Sequence, residues 1–269
     1  MTKLKEFATN HPLSFSLLTI LAYFLLGALF AGLVTVVIGA EYFDPLPQSI
    51  GSLAAVGAIL LVAWRFDWLQ PMGIASPGSW QAWLIALALL VYIFICYWLV
   101  FFGEVRIDIG FLAGSEEAKS LFWRQLVVGF VEELLFRGII LYSLVRVWGG
   151  TRRGLVASVL LSAFLFGLPH LLQGISGQMM NIALVVVVEA IISGIWYAVY
   201  VLLSGTIWPV VLIHALSNMA VSMKALTEPG WTLSVAGLVG VILLQLPLVI
   251  LGLWLILRQG PRPVVPDTP

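Results

Sequence analysis

Glu132 and Glu133 stand side by side in an apolar stretch, and Arg137 follows four positions after the second of them. Residues 126–131 and 138–145 on either side are hydrophobic enough to lie in a bilayer. A charge at bilayer depth costs at least about 2.5–3.5 kcal/mol on insertion scales, so ionisable groups there mark function. Two later apolar stretches carry one histidine each, His170 and His214. Carboxylates and imidazoles are the groups that move protons near neutral pH, and acid–base chemistry is what this set suggests.

On a helix, residues four apart share a face, so Glu133 and Arg137 can pair. Pairing lowers the cost of burying both charges. Glu132 points about 100° away from Glu133 and has no cation within its own turn. Its face also carries Gln125. A carboxylate buried without a cation holds its proton more tightly, which suits a general base working near neutral pH. The alternative is that both glutamates tether neighbouring helices. Further on, Phe166-Gly167-Leu168-Pro169-His170 places Phe166 and His170 one turn apart, beside a proline that bends the chain. His214 and Asn218 are again four apart, a pair able to hold a developing oxyanion or to cross-link helices.

The elements that must position these residues cross a membrane. The chain is 61% hydrophobic and 10% charged, against about 25% charged for a soluble domain. A helix needs about 20 apolar residues to span the hydrocarbon core. Eight stretches qualify or nearly so: 13–40, 47–64, 80–102, 121–147, 154–172, 179–203, 206–223 and 233–257. The expected fold is all-α, a polytopic transmembrane bundle of about eight helices in one integral membrane domain, 1–269. The first stretch is longer than the apolar core of a signal peptide and is read as a spanning helix. Small residues such as Ala28 and Gly32 read as helix-packing positions. Residues 103–120, with Glu104, Asp108, Glu116 and Glu117, read as a solvated loop or a surface amphipathic helix, and the proline-rich tail 261–269 as a disordered end.

An even helix count puts both termini on the side that holds Lys3, Lys5, Arg65, Arg146, Arg152, Arg153, Arg258 and Arg262. Arg106, Lys119 and Lys224 fall on the other. Both termini are therefore expected in the cytoplasm. A formal net charge of zero argues against nucleic acid as a partner. Cys96, the one cysteine, can form neither an internal disulfide nor a multi-cysteine metal site. Glu189 and Arg124 lie in or near apolar runs and are candidates to pair across helices.

Taken in order, Glu132-Glu133-x-x-x-Arg137, Phe166-x-x-x-His170 and His214-x-x-x-Asn218 resemble the motifs of the intramembrane CPBP proteases, also called the type II CAAX prenyl endopeptidase or Abi family. The resemblance covers about 121–223. It implies that Glu132 and His170 activate a water molecule, that His214 and Asn218 stabilise the oxyanion, and that Glu133 with Arg137 positions the catalytic helix. The expected reaction is hydrolysis of a peptide bond in a membrane-held, prenylated or otherwise lipidated substrate, within membrane lipid. Two accounts of the family differ on metal. One carboxylate and two histidines, Glu132, His170 and His214, can make a three-ligand zinc site with an open position for water. The spacing is not the His-Glu-x-x-His of zincins, and activated water with no cofactor is the preferred expectation. The alternative is a non-catalytic family member acting in immunity or as a membrane scaffold. A transporter ranks last, because transporters commonly repeat their halves and no second set of such residues precedes Glu132. Substrate identity and oligomeric state are not legible.

Overall fold

Backbone groups inside lipid have no water to bond, so the chain satisfies them within helices. The computed structural model describes residues 3–39, 41, 44–102, 114–175, 179–228 and 231–260, and these are helical with no strand among them. Helix α1 (Lys3–Asn10) is short, and α2 (Pro12–Ile38), α3 (Pro45–Arg65) and α4 (Trp80–Tyr97) follow. Then come α5 (Glu116–Glu133), a π-helical segment (Leu134–Ile140) and α6 (Leu141–Trp148), which form one continuous helical path. Helix α7 (Arg152–Gly167) passes through a 3₁₀ turn (Leu168–His170) into α8 (Leu171–Ile175). The long helices α9 (Met180–Ser204), α10 (Trp208–Thr227) and α11 (Val235–Gln259) complete the bundle.

Seven of the described helical stretches are long and apolar enough to cross a membrane. The eighth expected span corresponds to the path from α5 to α6, which carries Glu132, Glu133, Arg137 and Arg146. It is also the best shielded from lipid at its centre, because all seven residues of the π segment are buried. The protein is an integral membrane protein.

Polar starts and proline mark the helix ends. Ser79, Ser115, Thr151 and Ser234 each accept a hydrogen bond from a backbone N–H three residues on, which caps α4, α5, α7 and α11. The expected surface segment 103–120 is therefore the capped start of α5 from Ser115 onward. Its earlier residues up to 113 lie outside the described ones, as does the tail 261–269. Close helix approaches occur where side chains are smallest. A Cβ on Gly51 would lie 2.5 Å from the Gly27 carbonyl oxygen and 2.8 Å from the Ala31 nitrogen, so α2 and α3 touch backbone to backbone there. That contact uses Gly27 and Ala31 in place of Ala28, which faces outward.

The connection between α3 and α4 folds inward. Trp68 and Met72 are buried, and Thr206 donates to the Ser76 carbonyl at 2.7 Å. Trp208 Nε1 donates to the Ile74 carbonyl at 3.0 Å. These bonds fix the turn between α9 and α10, and with it the entry of the helix that carries His214. At the same end of the molecule, Arg146 donates to Thr9 Oγ1 at 3.1 Å and lies over the Trp68 ring, holding α1 against α6.

Candidate active site

Gly129 decides where α5 meets α10. A Cβ there would come within 2.9 Å of the Ala215 nitrogen and 3.0 Å of the Val211 carbonyl oxygen. Only a glycine lets the two backbones approach this closely. One turn along α5 from the contact are Glu132 and Glu133; next to it on α10 is His214. Gln125, two turns earlier, donates to Ser222 Oγ at 3.0 Å and locks the same pair of helices.

Glu133 is fully buried and its Oε1 serves two partners. Arg137 Nη1 approaches it to 3.1 Å, and His214 Nδ1 bonds it at 2.7 Å. The expected Glu133–Arg137 pair thus forms, as an ion pair in contact distance without full hydrogen-bond alignment, since Arg137 Nη1 and Nη2 have no aligned acceptor among the described residues. The guanidinium carbon lies over the Phe166 ring, 4.0 Å from its centroid, and 5.2 Å from that of Tyr197. Such a cation–π contact contributes most when water is excluded, and Arg137 is 1% exposed. The sequence places Glu133 in a turn with Arg137; the structure adds His214, 81 residues away, as its second partner.

Glu132 points elsewhere, as its 100° offset requires. Its side chain is 28% exposed, and its Oε2 is 3.6 Å from His214 Nε2. Glu132 was read as having no cation within its own turn, and the neighbour the structure gives it is an imidazole from another helix, α10. Distance along the chain hid that neighbour.

His170 is presented by the bend that Pro169 was expected to make. Helix α7 ends at Gly167, and the 3₁₀ turn turns the histidine inward. A Cβ on Gly167 would meet Ile191 at 2.6 Å and the Val187 carbonyl at 2.9 Å, so α7 and α9 are in backbone contact just before the bend. His170 Nδ1 is 3.2 Å from the Phe166 carbonyl oxygen, which leaves Nε2 for other partners. The Phe166 ring is central: it packs edge-on against His170 at 5.2 Å and against His214 at 5.8 Å.

Two cavities meet at Phe166 and His170. One of about 160 Å³ is lined by Glu132, His170, Tyr23 and Gln173 among others. The second, of about 40 Å³, is lined by His170, His214, Asn218, Glu189 and Gln245 among others. A space of about 10–15 Å³ holds a water molecule, so both admit water. Glu132, Phe166, His170, His214 and Asn218 thus line these two cavities, and Glu133 and Arg137 stand behind them, against His214 and Phe166.

Among the described residues no three His, Cys, Asp or Glu side chains converge as a metal-binding group. His214 Nδ1 is bonded to Glu133, and its Nε2 lies 3.6 Å from Glu132 Oε2.

Residues 115–220 match the family model described as Type II CAAX prenyl endopeptidase Rce1-like. That region is similar to the CAAX endopeptidase family. The matched region runs from the cap of α5 into α10 and contains every residue of the three motifs. Helices α1 to α4 and α11 lie outside the match. No curated protein and no solved structure matches the chain.

Two residues of this site were not assigned a place in it from sequence. Glu189 was expected to pair with Arg124, if with anything. Arg124 is exposed, and Glu189 accepts a hydrogen bond from Gln245 Nε2 at 3.0 Å. Gln245 is 1% exposed in an otherwise apolar helix, and that isolation in α11 is the signal that marks it.

Proposed function

We propose that this chain hydrolyses a peptide bond in a membrane-held, CAAX-type lipidated substrate, using water activated by Glu132 and His170. The observation that supports this most is that His170 lies on both cavities, beside Glu132 in one and beside His214 and Asn218 in the other. Water at the junction is within the reach of a base on one side, and a carbonyl oxygen is within the reach of donors on the other.

In this reading Glu132, with His170 Nε2, takes a proton from water as its oxygen attacks the scissile carbonyl carbon. Negative charge then develops on the carbonyl oxygen, where the side-chain amide of Asn218 and His214 Nε2 meet it. Donation from both nitrogens of His214 requires the imidazolium, with Glu133 as its counter-ion at Nδ1. Collapse of the tetrahedral intermediate breaks the C–N bond, and the proton taken from water passes to the leaving nitrogen. Glu133 and Arg137 act by position, holding His214 and Phe166. No step is routed through a metal. Both termini are proposed to be cytoplasmic. The N-terminal helix docks beside Arg146, near the turn with Arg152 and Arg153, and this supports one basic side for the molecule.

The test is cleavage of a prenylated CAAX-type peptide in detergent or liposomes by wild type, Glu132→Ala and His170→Ala, with and without a zinc chelator. Loss in both variants and indifference to chelator are expected. Loss on chelation with recovery on zinc addition overturns the metal-free mechanism. No cleavage by wild type, combined with Glu132→Ala that still complements in cells, overturns the enzymatic reading in favour of a scaffold.

A further inference from the structure

Glu189 is a third carboxylate in the membrane-spanning core, and the reaction as proposed does not use it. Glu133 has Arg137 and His214, and Glu132 has His214 beside it. Glu189 has a neutral hydrogen-bond partner, Gln245, whose Nε2 donates to its Oε1 at 3.0 Å, and the imidazoles of His170 and His214, on the wall of the same cavity, act on it electrostatically. The orientation of that amide is determined by a third residue. Trp196 Nε1 lies 2.9 Å from the other end of Gln245. An indole N–H can only donate, so that end must be the oxygen, and the amide nitrogen must face Glu189. Trp196, Gln245 and Glu189 therefore form a directed chain in which each donor meets an acceptor, ending on a carboxylate.

An ionised carboxylate accepts at about four lone-pair positions, and Gln245 fills one. Charge in a span is expensive and marks a binding or reaction site. The remaining acceptor capacity belongs to a group on the wall of the 40 Å³ cavity that His170, His214 and Asn218 also line. By the measure that about 10–15 Å³ holds a water, this cavity suits an ammonium with a methylene or two and is too small for a ring.

We propose that Glu189, held by Gln245, is a subsite for a primary ammonium group next to the scissile bond. This rests on the catalytic reading above and deepens it. Such an ammonium has two sources. One is a lysine side chain of the substrate. The other is the product itself, because hydrolysis gives the leaving amide nitrogen both protons of the water, one at collapse of the intermediate and one as the new carboxylic acid ionises, and so makes it a terminal ammonium. Gln245 lies on α11, outside the region that matches the family model, so the subsite joins the matched core to a helix beyond it.

The first experiment needs no substrate. Thermal unfolding of the full chain in detergent is followed with increasing methylammonium chloride, or with tetramethylammonium chloride at equal ionic strength. The two cations carry the same charge, but only the first has N–H donors. Wild type is expected to gain stability saturably with methylammonium alone, as a ligand of the native state must. Glu189→Gln is expected to lose that gain, and Gln245→Leu, which frees the carboxylate without removing it, to weaken it. Equal responses of wild type and Glu189→Gln overturn the proposal.

The second experiment separates the sources. A peptide with lysine beside the scissile bond is compared with one carrying norleucine. The amine-terminal cleavage product is compared with its N-acetyl form as an inhibitor. One comparison is expected to favour the ammonium by about tenfold in wild type and by nothing in Glu189→Gln. No preference in either comparison overturns the subsite. If wild type cleaves no peptide the catalytic reading fails, and the methylammonium comparison still decides the subsite.

Discussion

Glu133 is the side chain on which the site's order depends, because one oxygen holds both an arginine and a histidine. Removing its charge leaves Arg137 buried with only aromatic faces around it. Breaking a buried pair by deleting one partner costs about 3–5 kcal/mol, so Glu133→Gln is expected to lower the unfolding temperature markedly in detergent. Glu132→Gln makes a contrasting prediction. Its side chain is more than a quarter exposed and takes no hydrogen bond at Oε2, so unfolding should change by about 1 kcal/mol or less. On its proposed role as general base, cleavage should fall by about 10²–10⁴-fold. Equal losses of stability in the two variants would refute this separation of roles.

Three local features of the helices set the distances. The first is the crossing of α5 and α10 at Gly129, where a larger residue must push backbones apart. Gly129→Leu is expected to destabilise by about 1–3 kcal/mol through overpacking and to separate His214 from Glu133. The imidazole NMR signal of His214 should shift with it, assigned by comparison with His214→Gln. The second is the π segment that begins directly after Glu133. π turns are uncommon and concentrate at functional sites, and here the wider turn buries Leu134 to Ile140 together. The third is the bend at Pro169. In Pro169→Ala the backbone N–H is restored and α7 can run on, which moves His170 off the cavity junction. Helical content by circular dichroism should hold, whereas kcat should fall by about 100-fold, the scale of a 1 Å misplacement.

Across the described residues, the helical path that carries Glu132, Glu133 and Arg137 stands among seven long apolar helices. The centre of that path is enclosed, whereas α2, α4 and α11 present broad apolar faces outward. Charge is thus kept where protein surrounds it, and leucine and isoleucine where lipid does. The proposed orientation predicts that a fluorescent protein fused at either terminus will glow in the cytoplasm and that a periplasm-dependent phosphatase reporter there will stay inactive. A signal from the phosphatase at either end would reverse the assignment.

All-helical architecture was readable from composition, because lipid leaves a spanning backbone little choice but to satisfy itself within helices. The motif residues were readable too, since Glu133 to Arg137, Phe166 to His170 and His214 to Asn218 are spacings within one helix, and local periodicity carries that information. The proline bend at Pro169 belongs with them, for it is a property of one residue. What linear spacing could not carry is which motif faces which. Glu133 meets His214 across 81 residues because Gly129 admits α10, and Glu189 meets Gln245 across 56 because α11 packs on α9. The π turn likewise follows from surrounding packing, and no spacing in 134–140 announces it. Contacts between helices depend on the volumes and crossing angles of several elements at once, so tertiary packing, and not the order of residues along any one helix, converted three motifs into a single site.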